Sequence, residues 1–421
     1  MKRGFFSLSQ LSHTSRVQSV IPRCGQCGLY RTCQAPKMAP TGQGRKKILI
    51  IGEAPGKTED EYVNKKTGQK GKQFIGESGE YLRDVLERYD IDPDRDCWFD
   101  NSLRCRPISN KLPPNPAPLI EACRPNVLKT IKEMSPNVII LLGATACKSL
   151  IPVLWKDEVM QAGTWGSWQI PSQVVNAWVC PTFHPAYLIR QSGPTLELKF
   201  RQDIEAAVKL RSKPWREVPD YPSQVKIIYR PSQAAKAIRE MVHRAMKWEV
   251  PIAADYETNC LKPEYEEAEI VSCSMSMGSW TISYPWAGEA IDATSWMWQQ
   301  PVRKIASNLK FEDRWTRYFL RHTIRGWYWD TMIAAHLLDN RDRVVSMKFQ
   351  AFVLLGIKAW NEHIEPYLES KGANHLNRIR ELDMKELLLY GGLDALLEFR
   401  VAQKQVKQME RMKNGSNENR H

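Results

Sequence analysis

The apolar positions follow two regimes along the chain. In the N-terminal half, short continuous apolar runs alternate with stretches of helical period. "KKILIIG" (46–52), "PNVIILLG" (136–143) and "WVCPTFHP" (178–185) read as buried strands that end in loops, and "SGEYLRDVLERY" (78–89) reads as an amphipathic helix with Ser78 as its N-cap. Apolar strands separated by helices predict a parallel sheet covered on both faces, with ligands bound at the loops that follow the strands. In the C-terminal half, "VKIIY" (225–229) precedes a helix at 232–247, and "PIAADYET" (251–258) reads as a strand. "EIVSCSMSMGSWTISYPW" (269–286) reads as a hairpin turning near Gly278-Ser279, and the remainder is mainly helical, ending in a long basic helix. Between the halves, "RSKPWREVPDYPSQ" (211–224) carries three prolines and no apolar period, as a linker does. The pattern therefore predicts an α/β protein of two domains, at 20–210 and 225–412, joined by a linker at 211–224 and flanked by tails at 1–19 and 413–421.

Charge adds a partner. The 421 residues hold 60 Lys and Arg against 47 Asp and Glu, a net charge of +13, which fits a polyanion such as nucleic acid. No run of apolar residues is long enough to predict a membrane span, and the N-terminus lacks the continuous apolar region of a signal peptide, so a cytoplasmic location is expected. The ten cysteines then read as metal ligands or buried thiols and not as a disulfide framework.

Cys24-Gly-Gln-Cys27 is a CxxC, and Cys105 and Cys123 follow with seventeen residues between them. Four thiolates suit zinc or an iron–sulfur cluster equally well. The surrounding segments narrow the choice: "GEAPG" (52–56), "GKQFIGESG" (71–79), "NSLRCRP" (101–107), "EACRP" (121–125) and "HPAYLIR" (184–190), in this order. Together they resemble the family 4 uracil-DNA glycosylases, which carry a [4Fe–4S] cluster. The resemblance covers about residues 20–210 and implies that Cys24, Cys27, Cys105 and Cys123 hold the cluster, with Cys33 left out. It further implies that Phe74 stacks on an extruded uracil beside Gly52, that Asn101 pairs with the uracil edge, and that His184 donates to the leaving base. Glu53 would polarise the attacking water. Such a glycosylase hydrolyses the N-glycosidic bond of uracil, or of a modified pyrimidine. One departure stands out: the stretch "KTEDEYVNKKTGQK" between the first two segments is longer and more basic than the compact family pattern.

A second constellation is acidic. "AADYETN" (253–259) sets Asp255 and Glu257 two apart on a strand, so both carboxylates share a face. "SNLKFEDRW" (307–315) brings Asn308, Phe311, Glu312 and Asp313, and "YGGLDALLEFR" (390–400) brings Tyr390 and Asp394 one helical turn apart. Acids converging from a strand and two helices suit two divalent cations about 3.5–4 Å apart. The order, with "WDTMIAAHLLDN" (329–340) and "SMKFQAFVLLGI" (346–357), resembles the 3′–5′ exonuclease domain of family A DNA polymerases, a ribonuclease-H-like mixed sheet. That resemblance implies that Asp255, Glu257, Glu312 and Asp394 bind two Mg²⁺ or Mn²⁺ ions and that Tyr390 orients the attacking water. Glu312 stands where the family has Asp, which leaves Asp313 as an alternative ligand; Asp330 reads as structural.

Both resemblances imply a DNA-processing enzyme. Some bacteriophage polymerases of family A begin with this pair of domains, so the expected role is the separately encoded N-terminal part of such a polymerase, with DNA and a polymerase domain as partners. The alternative is a glycosylase-like domain that only clamps DNA while the exonuclease acts.

Overall fold

The computed structural model describes residues 24–155, 162–213, 217–372 and 375–418; the expected tail at 1–19 and the last residues of the tail at 413–421 lie outside them. The chain divides between Glu217 and Val218 into two compact units.

The first unit is built on a five-stranded sheet. Its elements are β1 (Ile48–Gly52), α1 (Glu77–Glu87), β2 (Cys97–Asn101), α2 (Ala117–Met134), β3 (Val138–Leu142), α3 (Gly143–Leu154), β4 (Ile170–Ser172), β5 (Ala177–Thr182), α4 (Pro185–Gln191) and α5 (Pro194–Lys209). The strand order is β2-β1-β3-β5-β4, and every pairing is parallel except β4 with β5. Ile48–Ile51 and Val138–Leu142 have no exposed surface, which is why their sequences are unbroken apolar runs. The α/β class expected from the sequence is the one observed.

Two strands escape the sequence pattern. β2 reads "CWFDN", whose polar end breaks the apolar run, and β4 is a three-residue edge strand with a proline. The start of α1 also differs from expectation. The N-cap is Gly76 in an extended conformation, and Ser78 lies inside the first turn, where Glu77 and Glu80 take the positions that the helix dipole favours for acids.

The second unit holds β6 (Val225–Ile227), α6 (Pro231–Lys247), β7 (Ile252–Thr258), β8 (Ile270–Ser276), β9 (Thr281–Pro285), α7 (Glu289–Gln299), β10 (Lys304–Ala306), α8 (Lys310–Leu320), β11 (Trp327–Asp330), α9 (Thr331–Leu338), α10 (Met347–Leu355) and α11 (Met384–Glu418). The strand order is β11-β10-β7-β8-β9-β6. β7, β8 and β9 form an antiparallel meander, while β10 and β11 add in parallel beyond β7. From β9 to β11, only β8 runs against the other strands, which is the ribonuclease-H-like arrangement. The sequence reading missed β10 and β11, which are three and four residues long and too short to show a period.

Alternation along β7 separates core from site. Ile252, Ala254 and Tyr256 pack into a core with α6 and α7 residues such as Ile238 and Trp298. Ala253 faces the other way and packs with Phe399 and Ala402 of α11. Asp255 and Glu257 share the face of Ala253, so the strand presents its acids toward α11.

Lys304 pins the far side of this sheet. It is fully buried, and its Nζ donates to the carbonyls of Gln300 (2.7 Å), Val302 (3.0 Å) and Arg325 (2.6 Å). Burial alone presses its pKa down to about 8. Three carbonyl acceptors use all three ammonium hydrogens and oppose that shift, so we assign the charged form at neutral pH. Replacing it by methionine keeps the stem and strands three acceptors. Lys304→Met is expected to lower stability by about 2–4 kcal/mol in urea unfolding; a wild-type midpoint would show that these bonds contribute little.

Candidate functional site

In the first unit the sequence-selected residues gather where the parallel strands end. Gly52 closes β1 and pairs in register with Asn101, which closes β2. A Cβ on Gly52 would stand 2.5 Å from Asn101 Oδ1 and 2.6 Å from Phe74 Cζ, so the glycine leaves room for an amide and a ring to meet above the strand. Phe74 is buried and adopts a left-handed backbone conformation, φ 55°, which is uncommon for an aromatic residue. Its N–H donates to the Glu59 carboxylate, its carbonyl accepts from Arg83 Nε at 2.8 Å, and its ring centroid lies 5.1 Å from that of Phe99. Glu59 also accepts the Gly56 N–H at 2.6 Å, so one side chain ties the "GEAPG" loop to the Phe74 backbone. Asn101 Nδ2 donates to Gln73 Oε1, and Gln73, fully buried, is fixed by donating to the Ala39 carbonyl at 3.2 Å.

Glu53 follows β1 and accepts a hydrogen bond from Thr145 Oγ1 at 2.7 Å, in the first turn of α3. His184 follows β5 as the N-cap of α4, and its Nδ1 accepts the Ala186 N–H at 3.2 Å. An accepting Nδ1 puts the proton of the neutral ring on Nε2. Burial presses the His184 pKa below its ordinary value, against the opposing charge of Glu53. The ring is therefore a neutral donor at pH 7. Gly143, with φ 80°, lies against His184, where a Cβ would come within 2.8 Å of the histidine Cβ.

Cys24, Cys27, Cys105 and Cys123 line one small cavity with Leu29, Tyr30, Leu103 and Asn126. Cys105 Sγ accepts the Lys37 N–H at 3.2 Å; Cys123 Sγ accepts the Arg104 N–H at 3.4 Å and Asn126 Nδ2 at 3.5 Å. Such donors favour thiolates, yet burial pushes the Cys105 thiol up to about 12. Four sulfurs around one space, with N–H donors already aimed at two of them, fit a soft metal centre that would hold the thiolates charged. Cys33 stands beside Cys105 without lining the cavity. Asp60, buried, accepts the N–H groups of Gln34 and Ala35 at 3.0 and 2.8 Å and anchors the segment that follows the CxxC.

In the second unit, carboxylate oxygens of Asp255, Glu257 and Asp394 lie within 4.8 Å of one another. Glu312 is outside that triad but buried, 2% exposed, and Asp255 is its chief charged neighbour. Its Oε2 has no hydrogen-bond partner among the described residues. The adjacent Asp313 is already engaged: Oδ1 accepts the Ile324 N–H at 3.0 Å and Oδ2 accepts from Arg317 at 2.6 Å. Asp330 caps α9 and accepts the N–H groups of Met332 (2.9 Å) and Leu309 (2.9 Å), so it joins β11 to the start of α8. Asn308, with φ 65°, turns the chain into α8, and Phe311 packs against Trp315 at 5.9 Å.

Lys348 and Trp360 belong to this site and were not found by sequence reasoning. Lys348 Nζ lies 2.5 Å from Asp394 Oδ1 and 3.3 Å from the Tyr390 hydroxyl, and Trp360 Nε1 donates to the same Asp394 oxygen at 2.7 Å. One ammonium does not balance the group. Burial and mutual repulsion push Asp255 up to about 8 and raise Glu257 and Glu312 well above the carboxylate range. Crowded oxygens with an unpartnered buried atom fit hard divalent cations.

Comparison with known proteins identifies the first unit. The Uracil DNA glycosylase superfamily matches residues 39–208. The type-4 uracil-DNA glycosylase of Pyrobaculum aerophilum is 30% identical over 192 residues, 45% of this chain and 90% of that protein. The type-4 enzyme of Thermotoga maritima is 28% identical over 191 residues, 45% of this chain and 91% of that protein. Through this N-terminal half, the chain belongs to the type-4 uracil-DNA glycosylase family. Among solved structures, Escherichia coli RNase D aligns with 12% identity and a TM-score of 0.35 over 44% of this chain and 45% of that one. At that level the fold of the second unit rests on its own strand order.

The crowded acids make stability depend on pH. Folding raises the Asp255 pKa from the ordinary carboxylate value to about 8, so between those values the folded chain holds a proton that the unfolded chain has released. Stability from this group is full below the unfolded value and is lost as pH rises through about 8. In EDTA, the unfolding temperature of the acidic unit is expected to fall from about pH 5 to about pH 9, and Mn²⁺ is expected to remove most of that fall in calorimetry. A flat profile in EDTA would contradict the crowding.

Proposed function

We propose that the chain excises uracil, or a modified pyrimidine, from DNA with its first unit and degrades DNA from the 3′ end with its second. The observation that carries this reading is the convergence of Glu53, Phe74, Asn101 and His184 at the strand ends of a unit that belongs to the type-4 family. An extruded base stacks on Phe74, whose backbone Glu59 and Arg83 hold from both sides. Asn101, its amide oriented by Gln73, donates and accepts along the pyrimidine edge. As the glycosidic bond breaks, negative charge grows on the base, and the Nε2 proton of neutral His184 stabilises it. Glu53, oriented by Thr145, polarises the attacking water and steadies the cationic sugar. Cys24, Cys27, Cys105 and Cys123 would hold a [4Fe–4S] cluster, which would tie the CxxC segment to the strand-end loops.

In the second unit, Asp255, Glu257, Glu312 and Asp394 would hold two Mg²⁺ or Mn²⁺ ions, which when bound supply charge stabilisation for phosphodiester hydrolysis. Tyr390 keeps its phenol proton, because burial and the nearby acids raise its pKa, and it orients the attacking water. A family A polymerase domain that hands over its primer end is the partner this pairing fits, in a bacteriophage-infected host cytoplasm.

A second reading makes the first unit a DNA clamp without excision. It is favoured by the basic insertion, which folds as a small hairpin in which Val63 pairs with Lys70 and Lys65, Lys66 and Lys70 are exposed.

The test uses protein purified without oxygen and a 5′-labelled strand with one internal uracil, in excess EDTA and then alkali. One cut at the uracil is expected, lost by more than about a hundredfold in His184→Ala and kept in Asp394→Asn. An intact strand from cluster-loaded protein would favour the clamp. With Mg²⁺, a uracil-free strand is expected to shorten from its 3′ end, and Asp394→Asn is expected to stop this by more than about a hundredfold. Absorbance near about 400 nm is expected for the cluster and should vanish in Cys105→Ser; a colourless, zinc-loaded protein would sink that assignment.

A further inference from the structure

One buried acid of the second unit stands outside the proposed ligand set. Glu398 lies on α11 one helical turn beyond Asp394, just as Asp394 lies one turn beyond Tyr390. The three residues therefore rise along one face of the helix toward the acid-bearing side of β7. Glu398 is 3% exposed, and its Oε1 has no hydrogen-bond partner among the described residues. The charged groups that act on it most strongly are carboxylates: Asp255 foremost, then Glu312, Asp394 and Asp330. Asp330 is already engaged by backbone N–H groups, so it offers Glu398 no donor. An orphaned oxygen buried among acids is an unfavourable arrangement unless something positive or a proton comes between them.

The same is true of Glu312, whose Oε2 is also orphaned and on which Asp255 is again the acid that acts most strongly. Glu257 and Asp394 form the tight triad with Asp255, whereas neither Glu312 nor Glu398 belongs to it. Asp394 is moreover engaged by Lys348 and Trp360, while among the described residues Glu312 Oε2 and Glu398 Oε1 have no hydrogen-bond partner. Asp255 is thus shared between two sets of acids.

We propose that Glu398 is a fifth metal-directed carboxylate, which with Glu312 and Asp255 holds the second divalent cation, while Asp255, Glu257 and Asp394 hold the first. The inference rests on the two-metal reading of this site and adds a ligand to it. The cation is a hard one, Mg²⁺ or Mn²⁺, since every donor is a carboxylate oxygen. A Glu at position 312 reaches one methylene further than an Asp, and a partner one turn along α11 from Asp394 would close the position that this longer arm opens.

The experiment titrates the full, cluster-loaded chain with Mn²⁺ and follows free Mn²⁺ by electron paramagnetic resonance, with thermal melts alongside. Wild type is expected to bind two Mn²⁺ ions. Glu398→Gln, which keeps the shape and removes the charge, is expected to bind one with unchanged affinity and the other at least tenfold more weakly. Asp255→Asn is expected to weaken both. Glu398→Asp tests the same point should the glutamine variant fold poorly: it keeps the charge on a shorter arm, so the second site alone is expected to shift. Two Mn²⁺ ions bound by Glu398→Gln with wild-type affinity, together with a raised melting temperature in EDTA, would overturn the proposal and make Glu398 a protonated structural acid. A wild-type chain that binds no Mn²⁺ would overturn the two-metal reading and this inference with it, a result distinct from failure of Glu398 alone.

Discussion

The second unit is organised around one unfavourable arrangement: carboxylates crowded together in a site that is largely, though not wholly, buried. Asp255 forms a close triad with Glu257 and Asp394, and it is also the acid that acts most strongly on the orphaned Glu312 and Glu398. The surrounding fold makes this possible. β7 is an inner strand, paired on both sides, so its backbone cannot move away from the repulsion. α11 is pressed onto it through Phe399 and Ala402, and Asp330 locks the start of α8 that carries Glu312. A chain that tolerates such crowding without a cation loses stability, and with one it gains a rigid site whose geometry is set before substrate arrives.

The first unit solves a different problem with the same architecture. A parallel sheet ends its strands together, so side chains far apart in sequence meet at one edge. The register of Gly52 with Asn101 sets a bare backbone beside an amide, and the missing Cβ gives the Phe74 ring its place. Phe74 occupies a left-handed conformation that an aromatic residue rarely adopts, and the bonds from Glu59 and Arg83 hold it there. This half belongs to the type-4 uracil-DNA glycosylase family, and the proposed excision site lies at these strand ends.

The sequence made the classes of element legible, and the short pieces less so. β1, β3 and β5 announce themselves as apolar runs because both faces are buried. β2 hides because its last two residues, Asp100 and Asn101, serve a polar network and the site. β10 and β11 hide because three or four residues show no period. The candidate residues that sequence reasoning selected carry their signal in motif spacing. Gln73, Glu59, Thr145, Lys348 and Trp360 act by orienting those residues, and an orienting side chain has no fixed spacing to read. Glu398 had a signal that went unused: its i+4 spacing from Asp394 continues the face that Tyr390 begins. The adjacent pair Glu312 and Asp313 could not be separated by sequence, because only the fold shows Asp313 engaged by Ile324 and Arg317.

On the proposed reading, each unit gathers its charged or thiol side chains to hold its own metal. Crystals grown without oxygen and soaked in Mn²⁺, measured at the iron and manganese absorption edges, test it most directly. Iron scattering is expected within the cage of Cys24, Cys27, Cys105 and Cys123, with two manganese peaks that share Asp255 as a ligand. Zinc or no scatterer among the cysteines, or no manganese beside Asp255, would contradict it.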